Sequence, residues 1–297
     1  MTSERASAVL SKVLVATDLS ARSDRAVERA VILAKQTGAA LTILHVVDAD
    51  LPSRIRDRLR DDAGSLIADH LISLPNAYVG SADTKIVLGK DHSDIVDVAR
   101  TVGAQLLVLG VHRNESREFF RGTTAERVIR AFGRPVLMVK ARPQAYYRRA
   151  IVGVDFSICS RRAIEFAARL IPDGEFHLVH AFEVPVKGPL FARNSRREVP
   201  TILHEQMNQL VGSDIVELKA ILQATPFRLF QIIRPGSVRG VIQEQIDQLK
   251  PDLLVIGTHG RSGVAHAIWG SVAEDFLSRP PCDVLIVPTP TIPDLTA

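Results

Sequence analysis

One series of landmarks occurs twice, in the same order, along the 297 residues of this chain, and that repetition limits the fold more than any other feature. Lys12-Val13-Leu14-Val15-Ala16-Thr17-Asp18 is answered by Ala150-Ile151-Val152-Gly153-Val154-Asp155. Each is an apolar run that ends on an aspartate and is followed by a serine, Ser20 or Ser157. Leu41 to Val46 then pairs with Phe176 to Ala181, and Ile86 to Gly89 with Ile232 to Gly236. Ala104 to Gly110 matches Pro251 to Gly257, and Pro135 to Val139 matches Asp283 to Val287. Short runs of Val, Ile and Leu of this kind read as strands, five in each half.

Between the strands lie segments of helical period with end signals. Examples are Ser23 through Lys35 closed by Gly38, and Ser160 through Leu170 closed by Pro172. Strand and helix therefore alternate, and nearly uninterrupted apolar strands are those buried on both faces of a parallel sheet. The expected fold is α/β: two tandem open five-stranded parallel-sheet domains with helices on both faces. Apolar periodicity lapses from Ala141 to Tyr146 around Pro143, so the expected domains are residues 1–146 and 147–297. Asp48 to Ala82 and Glu183 to Pro226 should each hold a helix after a loop. The second of these is longer and carries Lys187, Arg193, Arg196 and Arg197, which makes it a mobile surface loop or a lid.

Composition narrows the function class. An apolar share of 46% with 24% charged residues is that of a globular protein. The net charge of +4 is scattered, so no nucleic-acid partner is expected. The densest basic run, Arg54, Arg56, Arg58 and Arg60, is interleaved with Asp57, Asp61 and Asp62 and reads as a solvated helix surface. Two cysteines, Cys159 and Cys282, suit neither a disulfide framework nor a metal knuckle, and no apolar run is long enough for a membrane span. With no secretory signal pattern at the start, the expectation is a cytoplasmic protein without a membrane partner.

Ligands of open parallel sheets bind beyond the carboxyl ends of the strands. In the second half that rule selects Val154 and Asp155 after the first strand, Ala181 after the second and Gly236 after the third. After the fourth comes Gly257-Thr258-His259-Gly260-Arg261-Ser262-Gly263, and six residues later Gly270-Ser271-Val272 opens the last helix. Glycines let backbone N–H groups turn toward phosphates, and a helix N-terminus with a serine hydroxyl attracts an anion. Any one of these glycines is ordinarily just a turn. The full G-x2-G-x9-G-S spacing after the right strand points to a polyphosphate.

These motifs resemble those of the universal stress protein family, whose fold is Rossmann-like and similar to the adenine nucleotide alpha-hydrolases, and the resemblance covers both halves. It implies a stress-response protein that binds ATP in the second half as a nucleotide-dependent regulator. Asp155 would contact the nucleoside and the Ala181 backbone the adenine. Gly257, His259 and Gly260, with Thr258 between them, would wrap ribose and phosphates, and Gly270, Ser271 and Val272 would hold the terminal phosphates. A magnesium or manganese ion would be carried on those phosphates. The resemblance also implies an internal pseudo-dimer, with Pro135 to Val139 and Asp283 to Val287 in contact, and leaves a homodimer and unknown protein partners open.

The first half departs from the pattern. Its loop reads Gly110-Val111-His112-Arg113 and reaches Gly122-Thr123 one residue sooner, with Arg113 in place of the second glycine. A scaffold cleft is the favoured reading, although Asp18, Gly110, Gly122 and Thr123 remain and the arginine could itself reach an anion. His177 and His180, three apart on a strand, point to opposite faces and are not joint metal ligands. His45 and His180 recur at the same place in both halves and are read as fold landmarks. His259 meets a nucleotide through ring or backbone, and Cys159 is read as inert. No Walker lysine and no serine elbow occur, so binding is expected in place of rapid turnover. The alternatives are a scaffold or chaperone-like binding protein without nucleotide, and a slow ATP hydrolase.

Overall fold

A computed structural model describes residues 10–74, 82–90, 92–111, 123–171, 173–182, 228–258 and 270–288, with Ile202 and Glu205. The chain forms two compact units. One comprises Leu10–Tyr146 with Leu277–Asp283, the other Tyr147–Phe276 with the residues from Val284 onward.

In the first unit, β1 (Lys12–Thr17), α1 (Ala21–Thr37), β2 (Ala40–Asp48), α2 (Ser53–Ser73), β3 (Asp83–Gly89), α3 (His92–Thr101), β4 (Leu106–Gly110), α4 (Thr124–Phe132) and β5 (Val136–Val139) follow in order. The strands lie in the order β3-β2-β1-β4-β5. The pairs β1–β2, β1–β4, β2–β3 and β4–β5 are all parallel. Helices cover both faces, as parallel pairing through βαβ crossovers requires.

The second unit repeats the plan with β6 (Arg149–Gly153), α5 (Ile158–Leu170), β7 (Glu175–Phe182), β8 (Arg228–Pro235), α6 (Val238–Leu249), β9 (Leu253–Gly257), α7 (Ser271–Ser278) and β10 (Asp283–Val287). The order is β10-β9-β6-β7-β8, with β6 parallel to β7 and β9, and β7 parallel to β8. The expected two α/β domains with parallel sheets are what the chain folds into.

Local chemistry explains the elements. Helix α1 begins at a capping box, in which Ser20 Oγ accepts from Ser23 N and the Ser23 side chain accepts from Ser20 N, and it ends at Gly38 with φ +71°. Helix α2 fills the stretch expected to hold a helix after Asp48. The middles of the central strands are buried, with Leu14, Val15, Leu107, Val108, Ile151, Val152, Leu254 and Val255 inaccessible to solvent. The outer strands β3 and β8 depart from the two-face burial read from the sequence. Apart from Gly89 and Ile233 their residues are half-buried or exposed, and Asp83, Lys85, Arg228 and Arg234 place charge on these edges. Charged edges discourage pairing with a further strand.

Candidate functional site

At the carboxyl end of β6 the chain turns through Asp155 into α5. Asp155 Oδ1 accepts from Ser157 N at 3.0 Å and from Ser157 Oγ at 2.6 Å. Ser157 is the N-cap, and its oxygen accepts from Ser160 N. The residue between them, Phe156, has φ +61°, a left-handed conformation that a residue with a Cβ adopts only where its neighbours impose it. The first unit has the same turn, with Leu19 also at φ +61°. There Asp18 Oδ1 accepts from Ser20 N and Ser23 Oγ. Partial burial alone would raise the Asp18 carboxyl, but the hydrogen bonds from Ser20 and Ser23 outweigh it and hold the group below its ordinary value.

The two aspartates differ at their second oxygen. Asp155 Oδ2 is buried and has no hydrogen-bond partner among the described residues. A buried carboxylate oxygen without a donor costs free energy until something donates to it.

Strand β7 contributes the neighbouring wall. The Val179 carbonyl accepts from Val154 N on the β6 side at 2.9 Å, and the Phe182 carbonyl accepts from Gly236 N on the β8 side at 3.0 Å. Backbone groups along a strand alternate sides, so the N–H and C=O of Ala181 face the β6 side, beyond the last β6–β7 pair, Gly153 with Val179. Ala181 therefore presents one donor and one acceptor next to Asp155. Val154 itself, immediately before Asp155, is buried at 5% exposure.

Beyond β9 the arrangement is less permissive than the glycine pattern implied. Gly257 does not form a turn with positive φ; it ends β9 in extended backbone. Its missing Cβ serves packing, because a methyl there would come within 3.1 Å of Cys159 Cβ in the first turn of α5. Gly110 plays the same part in the first unit, where a Cβ would meet Arg22 O at 3.0 Å. Thr258 is buried, and its N–H donates to Val287 O at 3.1 Å. The Gly270 N–H, expected to be free for a phosphate, donates to Thr258 O at 2.8 Å. The Gly270 carbonyl accepts from Glu274 N, so Gly270 occupies the N-cap of α7 without a side-chain oxygen of its own. The first N–H groups inside this helix are those of Ser271 and Val272. His259 and Gly260 lie outside the described residues, as do Arg113, Gly122 and Gly263.

The structure thus brings Val154, Asp155, Ala181, Gly257 and the Thr258–Gly270 bond to one edge of the second sheet. Ser157 caps the helix after the strand, as its place in the sequence led one to expect; its hold on Asp155 was not foreseen, although the repeated Asp-x-Ser triplets at Asp18 and Asp155 carried the signal. Cys159 is buried against Gly257, and His177 is buried and stacked on Phe230 with ring centroids 4.8 Å apart. His180 instead turns its Nδ1 to the Val154 carbonyl, so the two histidines do not act together. Among the described residues no group of three or more His, Cys, Asp or Glu is placed to hold a metal ion, and no helix is long and apolar enough to cross a membrane.

A family model described as the universal stress protein family matches residues 10–140 and again residues 146–288. Universal stress protein E of Photorhabdus laumondii is 23% identical over 301 aligned positions, covering 93% of this chain and 94% of its own. The universal stress protein E homolog of Haemophilus influenzae is 28% identical over 162 residues, 51% of each chain. Universal stress protein E of Escherichia coli K12 is 25% identical over 199 residues, 62% of this chain and 61% of its own. Against these last two, the chain spans between half and two thirds of the relative's length. Among solved structures, a universal stress protein from Archaeoglobus fulgidus superposes with a TM-score of 0.67 at 18% identity, covering 93% of this chain and 98% of that one. At that identity the likeness speaks for the fold.

Proposed function

The chain belongs to the universal stress protein family, with two tandem family domains, and on that footing we propose that its second unit binds ATP and acts as a nucleotide-dependent regulator in the stress response. The observation that carries the reading is the open edge beside Asp155. A backbone N–H and C=O on Ala181 match the acceptor and donor on the Watson–Crick edge of adenine. Asp155 Oδ2, buried and without a partner among the described residues, suits a donor such as a ribose hydroxyl. The N-terminus of α7, with Gly270 at its cap, supplies Ser271 and Val272 for phosphate oxygens. Thr258 and Gly270 shape this strand-to-helix connection through their mutual hydrogen bond. Bound magnesium or manganese would neutralise phosphate charge, held on the nucleotide and not by a protein cage.

The first unit serves as a scaffold in this reading. Its α4 is capped by its own Thr123, whose Oγ1 accepts from Glu126 N at 3.1 Å, so a donor that α7 keeps for a ligand is already used. A cytoplasmic location suits a protein that reads the cellular adenine nucleotide pool.

The test is to purify the protein, denature it and identify released nucleotide by mass spectrometry, then titrate the stripped protein with ATP in a calorimeter. Release of an adenine nucleotide, or saturable binding lost in Gly260→Arg, supports the proposal. Absence of both overturns it. Steady ATP turnover abolished by Asp155→Ala would instead favour a slow hydrolase.

A further inference from the structure

Helix α2 is, among the described residues of the first unit, both the longest helix and the least packed for its length. Of its 21 residues only Ala63 and Ile67 are buried, and Pro52 at its N-cap offers no side-chain hydrogen bond. The 17 residues of α1, by contrast, include nine buried ones. Helices draw most of their stability from a packed apolar face, so a helix about 31 Å long that buries two residues leaves a second face to be used. On that face Ile55, Leu59 and Leu66 are 50%, 41% and 55% exposed. At about 100° per residue they fall within about 40° of one another around the helix. The same line continues through Asp62, Asp69 and Ser73, in alternating steps of four and three residues from Ile55 onward, which is the spacing of a seam between two helices.

Charge decides what fits the seam. The helix carries four arginines, Arg54, Arg56, Arg58 and Arg60, balanced by Asp57, Asp61, Asp62 and Asp69, so neither a polyanion nor a polycation is matched to it. Along the seam the signs are divided: Arg54 and Arg58 flank its first half, and Asp62 and Asp69 lie in its second. We propose that this face joins two copies of the chain, with their α2 helices antiparallel about a two-fold axis beside Asp62. A two-fold interface sets one patch against itself and therefore needs self-complementarity. With the axis between residues 62 and 63, Leu59 of each copy meets Leu66 of the other. Asp69 of each copy then comes level with Arg56, between Arg54 and Arg58 of the other. Asp62, next to the axis, is neutralised by Arg58 of its own helix, whose Nε lies 3.6 Å from Asp62 Oδ2. Parallel helices would instead set Arg58 against Arg58 and Asp69 against Asp69. The proposal does not depend on the ATP reading.

Sedimentation equilibrium of the full chain over a concentration series tests this. One pair of helices is a small interface, so the wild type should dimerise with a dissociation constant on the order of 10–100 μM. Leu66 is exposed, so Leu66→Asp leaves the fold of the single chain intact, as a circular dichroism melt would verify, and it should weaken the dimer by about tenfold or more. Arg58→Asp and Asp69→Arg each place like charges across the axis twice, and each should weaken it by about fivefold. The double variant Arg58→Asp with Asp69→Arg exchanges the charges and should restore association to within about twofold of wild type. Only an antiparallel α2 pair predicts that restoration. A wild type that stays monomeric up to about 500 μM overturns the proposal. So does a dimer that Leu66→Asp leaves unchanged, since another surface then holds it, or a double variant no tighter than its singles. A monomer in which Leu66→Asp lowers the melting temperature also overturns it, because the face is then covered by another part of the same chain.

Discussion

Gly110 and Gly257 end equivalent strands, and the structure assigns them unequal tolerance of a methyl group. Neither has positive φ, so alanine is conformationally allowed at both and would gain about 0.4–1 kcal/mol by restricting the unfolded chain. The opposing effect is crowding, which costs about 1–3 kcal/mol where a methylene is forced into a packed site. At Gly110 the new Cβ meets three backbone atoms, Arg22 O at 3.0 Å, Arg22 C at 3.1 Å and Ser23 N at 3.2 Å. These belong to the first turn of α1, fixed by its capping box, and cannot yield without moving the helix. At Gly257 the only close atom among the described residues is Cys159 Cβ at 3.1 Å, with the Cys159 carbonyl carbon at 3.5 Å in ordinary contact. Gly110→Ala should therefore destabilise its unit by about 1–2 kcal/mol net, and Gly257→Ala by about half that or less. For units of this size about 1 kcal/mol moves the melting temperature by about 2–4 °C, which differential scanning calorimetry resolves. Equal stability of Gly110→Ala and wild type, or a larger loss for Gly257→Ala, would refute the view that these glycines exist for helix approach.

Ser20→Ala and Ser157→Ala each remove a helix cap and should each cost about 1 kcal/mol in chemical denaturation. Only Ser157→Ala should also weaken ATP in calorimetry, because only Ser157 orients the aspartate of the proposed site. His177 is held below the ordinary imidazole value by burial, with Arg149 adding to the shift and Glu175 opposing it. The unfolded chain then takes up this proton first, so stability is full above about pH 6.5 and declines as the pH falls below it. His177→Phe, which keeps the stack on Phe230, should flatten that decline in urea denaturation series between neutral and mildly acidic pH. An unchanged slope would show that His177 is not the group responsible.

The strands were readable because the central ones are nearly pure apolar runs, such as Leu106-Leu107-Val108-Leu109 and Leu253-Leu254-Val255-Ile256, and because the halves repeat them. The edges were harder. Arg228-Leu229-Phe230-Gln231 in β8, the last strand in the order, alternates between exposed and half-buried, so its first half does not stand out as a strand. In the site, Asp155 and Ala181 follow from the rule that ligands gather at strand carboxyl ends. What the spacing of glycines could not disclose is which N–H groups are already spent. Gly270 donates to Thr258, and Thr258 to Val287, and both partners depend on how distant segments meet in the fold. Nor does a histidine at a strand end announce that its ring will meet a backbone carbonyl of the neighbouring strand, as His180 Nδ1 meets Val154 O.

The difference between Thr123 and Gly270 suggests that the two units divide stability and binding between them, and a single substitution tests this. Thr123 caps α4 with its own oxygen, whereas α7 starts from a glycine that offers none. A side chain at position 270 is sterically allowed by the described residues, because φ is not positive and among them a Cβ would find only Thr258 O, at 3.6 Å. Gly270→Ser should therefore give α7 a cap like that of α4. Serine and glycine differ by only a few tenths of a kcal/mol at an N-cap, so stability should hold or rise slightly. The serine oxygen would then engage the Val272 or Ala273 N–H, one of the donors that the phosphates of ATP are proposed to use. ATP affinity should fall by about three- to tenfold, the scale of one N–H hydrogen bond, while the melting temperature stays constant or increases. Tighter ATP binding in Gly270→Ser would mean that the N-terminus of α7 does not receive the phosphates, and the position of the nucleotide along this edge would have to be redrawn.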